Sequence, residues 1–477
     1  MGNSLRTTSI HILDDDSLLH IFYLYRPFLL GEDEDDNARL WGGNRRWARG
    51  RWWYRPAQVC RRWRNVIFGA ASYLDLSLVC TYRTPVAGML ANSPPLPLVV
   101  DYLEERRDIT TDDEEGIILA LRQRGRVLRV RLNTPVTSLQ KVIATMDGEY
   151  PILEHLVIWL SNEDKSTILI FPEMFQAPHL RCLRPRGFSL PIESRLLTTA
   201  VGLVTLSLVM AHPSTYFHPN TLLQWISLMP QLETLIIQFE FPTPNRDVER
   251  QLTHTPIIAP ITLPNLRYFQ FHGVSTYLES LVHWIATPRL ERLNILFFYQ
   301  STFFVPHLLQ FMNTAENIKF DSAAFRFSDN QVSLVVYPRG ANTYALGILV
   351  GCSHFDWQVS SMAQISDSLC QMISSVEHLV LEHDLHNHSS EEHNQVNHTE
   401  WCQLLRPFRN VKTFGIGTGL AEELSHFLKS EDGGLSSALL PKLEELTYSA
   451  SGDTRNRFIS FIDTRQNTGR PVTLVRR

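Results

Sequence analysis

The chain has 477 residues, of which 44% are hydrophobic and 19% are charged, and its formal net charge is −5. This composition predicts a globular protein with a large core. The charge excludes a global basic field of the kind that attracts nucleic acid. No apolar run reaches the roughly 18 residues that a membrane span needs. We therefore expect neither nucleic acid nor a membrane as a partner.

The cysteine pattern and the first residues indicate a compartment. Six cysteines are scattered along the chain without a C-x-x-C pair, which argues against a zinc module. The opening residues lack the apolar core of a secretory signal peptide. We expect a reducing compartment, cytoplasmic or nuclear, and no bound cofactor or metal.

The first predicted element is a helix in ILDDDSLLHIFYLYRP, residues 12–27. Asp14, Asp15 and Asp16 can cap its N-terminus and complement the helix dipole. Leucine, isoleucine and aromatic residues then give a broad apolar face, and Pro27 ends the pattern.

A loop insertion is predicted at about residues 27–55. It begins with an acidic run, residues 32–36, and continues as a stretch rich in Arg, Gly and Trp. Such sequence between two apolar helices is typical of an exposed loop. The Arg/Trp half also suits an RNA-binding arm, but we favour tryptophans that fold back onto the second helix.

The second predicted helix is AQVCRRWRNVIFG, residues 57–69. Val59, Cys60, Trp63, Val66 and Ile67 form one apolar stripe at helical spacing, and the arginines lie largely off it. Two short amphipathic helices make too small a core to stand alone. We expect them to pack on a following domain or on a partner.

Together these residues resemble an F-box, as in the large fungal families of F-box-like proteins. The similarity covers Ile10 to Gly69 and includes the runs Leu-Leu-x-Ile-Phe and Val-Cys-Arg-Arg-Trp. Asp14 stands where the family pattern has proline, and the stretch between the two runs is longer than usual. The resemblance implies a helical module at residues 8–69 that docks on a Skp-type adaptor. The residues predicted to contact that adaptor are Leu13, Leu18, Leu19, Ile21, Phe22, Val59, Cys60, Trp63 and Val66.

Residues 70–477 carry a recurring apolar-x-x-apolar-x-apolar pattern. Examples are VLRVRL, LEHLVI, LVTLSL, LETLII, LRYFQF, LERLNI, VEHLVL, VKTFGI and LEELTY. Leu-x-x-Leu-x-Leu is the strand of a leucine-rich repeat, and most copies precede a helical pattern. Stacked units share a core that one unit cannot form. The predicted fold class is therefore α/β, with a short helical module followed by a degenerate leucine-rich-repeat solenoid of parallel strands.

One stretch departs from this repeat pattern. Residues at about 323–350 alternate apolar and polar side chains and contain Asp-Asn and Pro-Arg-Gly turn signals. This pattern predicts antiparallel strands. The stretch is either an insertion or a set of modified repeats, and the sequence does not decide between the two.

The sequence offers little that indicates catalysis. Histidines and carboxylates are dense at residues 378–398, where a metal site is conceivable, but we favour a solvated loop because no H-E-x-x-H occurs. No Walker loop, G-x-S-x-G elbow or complete dinucleotide fingerprint is present. We expect a protein that is not an enzyme.

The sequence-based hypothesis is a substrate-recognition subunit of a cullin–RING ubiquitin ligase. The alternative is a recognition scaffold whose F-box-like part binds no adaptor. In either case we expect an unknown protein partner to bind exposed residues at the repeat strands. The candidates are Glu154, His155, Arg267, Glu291 and Arg292.

Overall fold

The computed structural model describes residues 13–26, 51–103, 108–160, 169–190, 194–210, 215–240, 260–314, 320–340, 343–383, 396, 398–429, 439–448 and 455–476. The chain divides into two compact units, Met1–Leu203 and Val204–Arg477. The predicted insertion at residues 27–50 and most of the histidine-rich stretch lie outside the described residues.

The first unit combines helices with a parallel sheet in the order β1-β2-β3-β4-β6, and β5 pairs with β7. All of these pairings are parallel. The helices are α1 (Asp15–Tyr25), α2 (Tyr54–Val59), α3 (Arg61–Gly69), α4 (Val86–Asn92), α5 (Thr111–Leu121), α6 (Val136–Thr145) and α7 (Arg195–Thr199). The strands are β1 (Leu78–Cys80), β2 (Leu98–Tyr102), β3 (Val127–Thr134), β4 (His155–Leu160), β5 (Leu169–Ile170), β6 (Cys182–Arg186) and β7 (Phe188–Ser189).

The second unit repeats the strand-plus-helix plan. Its strands are β8 (Thr205–Met210), β9 (Thr234–Phe239), β10 (Ile261–Thr262), β11 (Tyr268–Gly273), β12 (Ile285–Ala286), β13 (Arg292–Phe298), β14 (Phe320–Ser328), β15 (Gln331–Pro338), β16 (Leu346–Gly351), β17 (His378–His383), β18 (Thr413–Ile416), β19 (Glu445–Tyr448) and β20 (Thr473–Arg476). Its helices are α8 (Pro219–Ser227), α9 (Ser275–Val282), α10 (Pro306–Asn313), α11 (Phe355–Ser368), α12 (Cys370–Ile373), α13 (His398–Leu405), α14 (Ala421–Lys429) and α15 (Arg455–Asn467).

The Leu-x-x-Leu-x-Leu spacing explains how each repeat is built. In LETLII, Leu232 is buried in the turn before β9, and Leu235 and Ile237 are buried within it. Register places Leu235 between Leu206 of β8 and Phe269 of β11. Because strand side chains alternate between faces, the residues between the leucines point away from this core. Each repeat therefore buries one face by sharing it with its neighbours.

Among the strands described in the second unit, the parallel order is interrupted once. From β13 the chain passes to β14, returns antiparallel as β15 and continues as β16, which pairs in parallel with β13. β14 then pairs in parallel with β17. The resulting order is β13-β16-β15-β14-β17. The stretch predicted to form antiparallel strands, about 323–350, coincides with these three strands.

The predicted fold class is confirmed in its coarse form, a mixed α/β architecture with mostly parallel sheets and, in the described residues, fifteen helices. The first predicted helix is present as α1. The second, predicted as one helix over residues 57–69, is divided into α2 and α3, because the backbone of Cys60 is extended, with φ −158° and ψ 171°. Val59 therefore ends α2 and does not share one helical stripe with Trp63. No helix within the described ranges combines the length and apolar character required to cross a bilayer.

The burial pattern of β9 generates a paired prediction. Leu235→Ala removes a fully buried side chain and is expected to destabilise the protein by about 3 kcal/mol through lost burial and a cavity. Ile236→Ala, at a half-buried position on the opposite face, is expected to cost less than about 1 kcal/mol. Thermal melts by circular dichroism measure both. Equal losses would contradict the assignment of the two faces.

Candidate functional site

The N-terminal helices form a small module within the first unit. Asp14 caps α1, and its carboxylate accepts the Ser17 backbone N–H at 2.7 Å. This hydrogen bond lowers the pKa of Asp14. Leu18 and Phe22 are buried, and the Phe22 ring meets Trp63 of α3 edge-on at 5.1 Å. These contacts hold α1 against α3.

The Val-Cys-Arg-Arg-Trp run has a structural role at the start of α3. Cys60 is the N-cap, with its sulfur accepting the Trp63 backbone N–H at 3.5 Å. Arg62 donates to the Leu13 carbonyl at 2.6 Å and pairs with Asp15 at 2.8 Å. The second arginine of the run therefore ties α3 to the beginning of α1.

Hydrogen bonds connect this module to the first repeat of the same unit. Trp53 donates its indole N–H to the Ser77 carbonyl at 3.2 Å. The Arg51 guanidinium donates to the Val79 carbonyl at 3.0 Å and to the Thr84 hydroxyl at 2.9 Å. Because both residues belong to the Arg/Trp-rich stretch, its described end packs on the protein. Trp53 also contacts the second predicted helix, with its ring centre 5.5 Å from that of Phe68. Trp41 and Trp47 of the predicted fold-back lie outside the described residues.

Six exposed apolar side chains lie on α1, at the end of α2 and shortly after α3, and we call this set the apolar face. Large apolar residues exposed in the described structure number fourteen, and six of them belong to this face: Ile21, Tyr23, Leu24, Tyr25, Val59 and Tyr73. Leu24 is 69% exposed and Val59 is 61% exposed. Helix α1 is apolar around most of its circumference but covered on one side only. Two of the six are in contact, since the rings of Tyr23 and Tyr73 have centres 5.2 Å apart. Exposed apolar side chains mark interaction sites where they form a contiguous patch.

The predicted adaptor residues divide into three groups. Leu18 and Phe22 are buried, so they hold the module together and do not lie on its surface. Ile21 and Val59 are exposed on the apolar face. The remaining residues are half-buried, namely Leu13, Leu19, Cys60, Trp63 and Val66.

The predicted partner-binding residues of the repeats lie at the beginning of strands. Arg267 precedes β11 and pairs with Glu291, which precedes β13, at 3.3 Å. The Arg267 backbone N–H donates to the Glu233 carbonyl, and the Glu291 backbone N–H donates to Arg267. Arg292 lies 5.6 Å from the centre of the Tyr344 ring. These side chains connect successive repeats, which the sequence pattern does not reveal.

The same edge continues with alternating charge further along the second unit. Three charged residues immediately precede successive strands: Glu377 before β17, Lys412 before β18 and Glu444 before β19. The Lys412 backbone N–H donates to the Glu377 carbonyl, and the Glu444 backbone N–H donates to the Lys412 carbonyl. The Lys412 ammonium lies 2.8 Å from the Glu377 carboxylate and lowers its pKa. We call the two series, 233–267–291 and 377–412–444, the alternating edge.

In the first unit, Glu154 and His155 lie at the start of β4, and both are half-buried. His155 is in register with Arg129 of β3 and Cys182 of β6. Four arginines on β3 and β6 were not singled out from the sequence. The alternation in LRVRL and LRPRG contains the signal. Buried residues flank Arg131, Arg184 and Arg186 on both sides, and Arg129 lies between the half-buried Leu128 and the buried Val130.

A second group of exposed aromatic residues lies where β13 and β16 end. Tyr299 and Trp357 stack with ring centres 5.1 Å apart and planes 16° apart. They line an open cleft of about 320 Å³ together with Asn330, Gly351, Cys352 and Ser353. Burial raises the pKa of Cys352, which disfavours its thiolate form.

Little of the histidine-rich stretch is described. His378 Nδ1 lies 2.7 Å from the Thr413 hydroxyl, and His398 Nδ1 lies 3.6 Å from Cys402 Sγ. Burial raises the pKa of the Cys402 thiol, so this pair does not resemble an activated nucleophile. His386, His388 and His393 lie outside the described residues.

Comparison with known proteins adds little to this geometry. No family model matches the chain, and no curated protein is similar to it. A solved structure titled "Crystal structure of TLR13-ssRNA13 complex" has a TM-score of 0.32 and 11% identity, covering 84% of this chain and 49% of that chain. The chain thus corresponds to about half the length of that solved chain. A similarity of this size assigns neither ligand nor partner.

The packing of α1 predicts different consequences for two neighbouring substitutions. Phe22→Ala is expected to destabilise the module by about 3 kcal/mol, because the ring is 2% exposed and contacts Trp63. Leu24→Ala is expected to change stability by less than about 0.5 kcal/mol because its side chain is mostly in solvent. Hydrogen exchange of the α1 amides measures both. Faster exchange in the Leu24 variant alone would contradict this packing.

Proposed function

We propose that this chain is a substrate-recognition subunit of a cullin–RING ubiquitin ligase. Its apolar face binds a Skp-type adaptor, and its repeats bind a protein substrate. The observation that carries the proposal is the apolar face itself. Its residues lie within or close to the F-box-like runs of the sequence, and their side chains are exposed in the structure.

The composition of the apolar face suits a protein partner. Three of its six residues are tyrosines, and tyrosine is enriched among residues that dominate interface energies. Exposed arginines on α2 and α3, Arg55, Arg61 and Arg64, lie close in sequence to Val59. A rim of this charge favours an acidic adaptor surface and affects its association rate more than its affinity.

The repeats supply the second half of the proposed function. Their outward-facing strand residues are not needed for the core, so they can vary to recognise a partner. Ubiquitin transfer would be catalysed by the other subunits. This chain would contribute proximity and orientation of the substrate.

The competing candidate is a recognition scaffold that binds no adaptor. It is favoured by the burial of Leu18 and Phe22, two residues of the predicted contact set. Because these two side chains are buried, an adaptor would have to bind the exposed positions of the set, such as Ile21 and Val59. The two candidate functions differ only in whether those positions bind an adaptor.

The test uses the full chain and the host's Skp-type adaptor in a biolayer interferometry assay. Ile21→Asp combined with Val59→Asp is expected to weaken binding at least about 30-fold, since truncated hot spots cost roughly 2 kcal/mol or more each. Both positions are exposed, so the fold should survive.

The matched control is Ile170→Asp combined with Val201→Asp, two exposed apolar positions of the same unit outside the module. This control is expected to bind as the native chain does. If the folded native chain does not bind the adaptor, the ligase proposal fails and the scaffold is favoured.

A further inference from the structure

Arginines occupy the outward-facing positions of two strands in the first unit. On β3 these are Arg129 and Arg131, and on β6 they are Arg184 and Arg186. Register aligns Arg131 with Val157 of β4, and Val157 with Arg184. We call these four arginines the arginine ladder.

Strand geometry keeps the ladder compact. Neighbouring strands lie about 4.8 Å apart, so the Cα atoms of Arg131 and Arg184, two strands apart, are about 10 Å from each other. The two arginines on each strand are about 6.6 Å apart along it. Three of the four are half-buried and Arg186 is exposed. Four guanidinium groups are thus held by rigid strands on one face.

The charge on this face opposes the charge of the whole chain. Among the outward-facing residues of β2, β3, β4 and β6, Asp101 is the single acid, and it lies 3.4 Å from Arg131. Arg129, Arg184 and Arg186 make further contacts within the chain. An incoming anion would therefore exchange partners with groups already present. Counted on these strands alone, the outward-facing residues include four arginines and one aspartate, on a protein of net charge −5.

Residues between the arginines add apolar contact. Val157 occupies the middle of the central row and is 9% exposed. Trp159 is in register with Asn133 and Arg186. The half-buried Trp159 gives the methylene groups of a bound glutamate, or a neighbouring apolar residue, a surface to pack on.

We propose that the arginine ladder binds a glutamate- or aspartate-rich segment of a protein, a proposal that rests on the recognition function of the repeats. Guanidinium forks match carboxylate oxygens in bidentate pairs. An extended segment also matches the ladder, because its alternate side chains repeat at the same spacing as those of the strands. A long nucleic acid would extend beyond the ladder over a chain of net charge −5, whereas a short acidic segment contacts the four arginines alone.

The experiment measures binding of a fluorescent peptide of alternating Glu and Gly to the full chain by anisotropy. Arg131→Gln combined with Arg184→Gln is expected to weaken binding at least about tenfold, because each substitution removes a guanidinium group that can pair with a carboxylate. Rising salt should weaken binding by the native chain.

Matched variants locate the site. Arg406→Gln combined with Arg409→Gln, exposed arginines that follow α13 in the second unit, should bind as the native chain does. Arg131→Lys combined with Arg184→Lys should retain intermediate affinity. If the glutamine pair fails to fold, Arg186→Glu reverses an exposed charge and should weaken binding by itself.

Several outcomes would overturn the proposal. These are no binding of the Glu-Gly peptide by the native chain, unchanged binding by folded ladder variants, and equal binding of a Lys-Gly peptide. Tighter binding of single-stranded oligouridine, again through the ladder, would assign the face to nucleic acid instead. The adaptor assay separates the two proposals, since ladder variants should bind the adaptor normally and Ile21→Asp/Val59→Asp should bind the peptide normally.

Discussion

The structure depends on one constraint, which is that a single strand-and-helix unit cannot bury its own apolar face. The row Leu206, Leu235, Phe269 and Leu293 shows the solution, because each residue is covered by the equivalent residue of the next repeat. The inward positions are therefore fixed by packing. Outward positions are released from that demand, and this division allows chemistry such as the arginine ladder to accumulate on the opposite face without disturbing the core.

The local pattern of the sequence was sufficient to predict the repeat strands but not to predict which strands pair with each other. In LETLII the spacing of Leu232, Leu235 and Ile237 identifies the strand and its buried face. The pairing of β13 with β16 depends on contacts between residues far apart in the chain, for which alternation and turn signals carry no information. The alignment of Arg131 with Arg184 is equally non-local, since it requires the register of three strands. Sequence reasoning could therefore find the arginines but not their assembly on one face.

The N-terminal module shows a different limit. An apolar stripe indicates which residues avoid water. It does not indicate whether they pack against the rest of the chain or against a partner. Phe22 and Ile21 are adjacent and similarly apolar, yet Phe22 packs on Trp63 and Ile21 is exposed. The motif residues Cys60 and Arg62 act as a helix cap and as a tie between helices. The F-box-like sequence thus specifies an internal framework, and the exposed residues around it form the surface available for binding.

The alternating edge has a consequence for how this protein can change by gain or loss of repeats. Glu233, Arg267 and Glu291 alternate in sign, as do Glu377, Lys412 and Glu444. Deleting the repeat that carries Arg267 would bring Glu233 beside Glu291. Deleting the repeat that carries Lys412 would bring Glu377 beside Glu444. Removing repeats in pairs would preserve the sequence of signs. Individual exposed ion pairs contribute little stability, but their order makes the repeats non-interchangeable and favours change in steps of two.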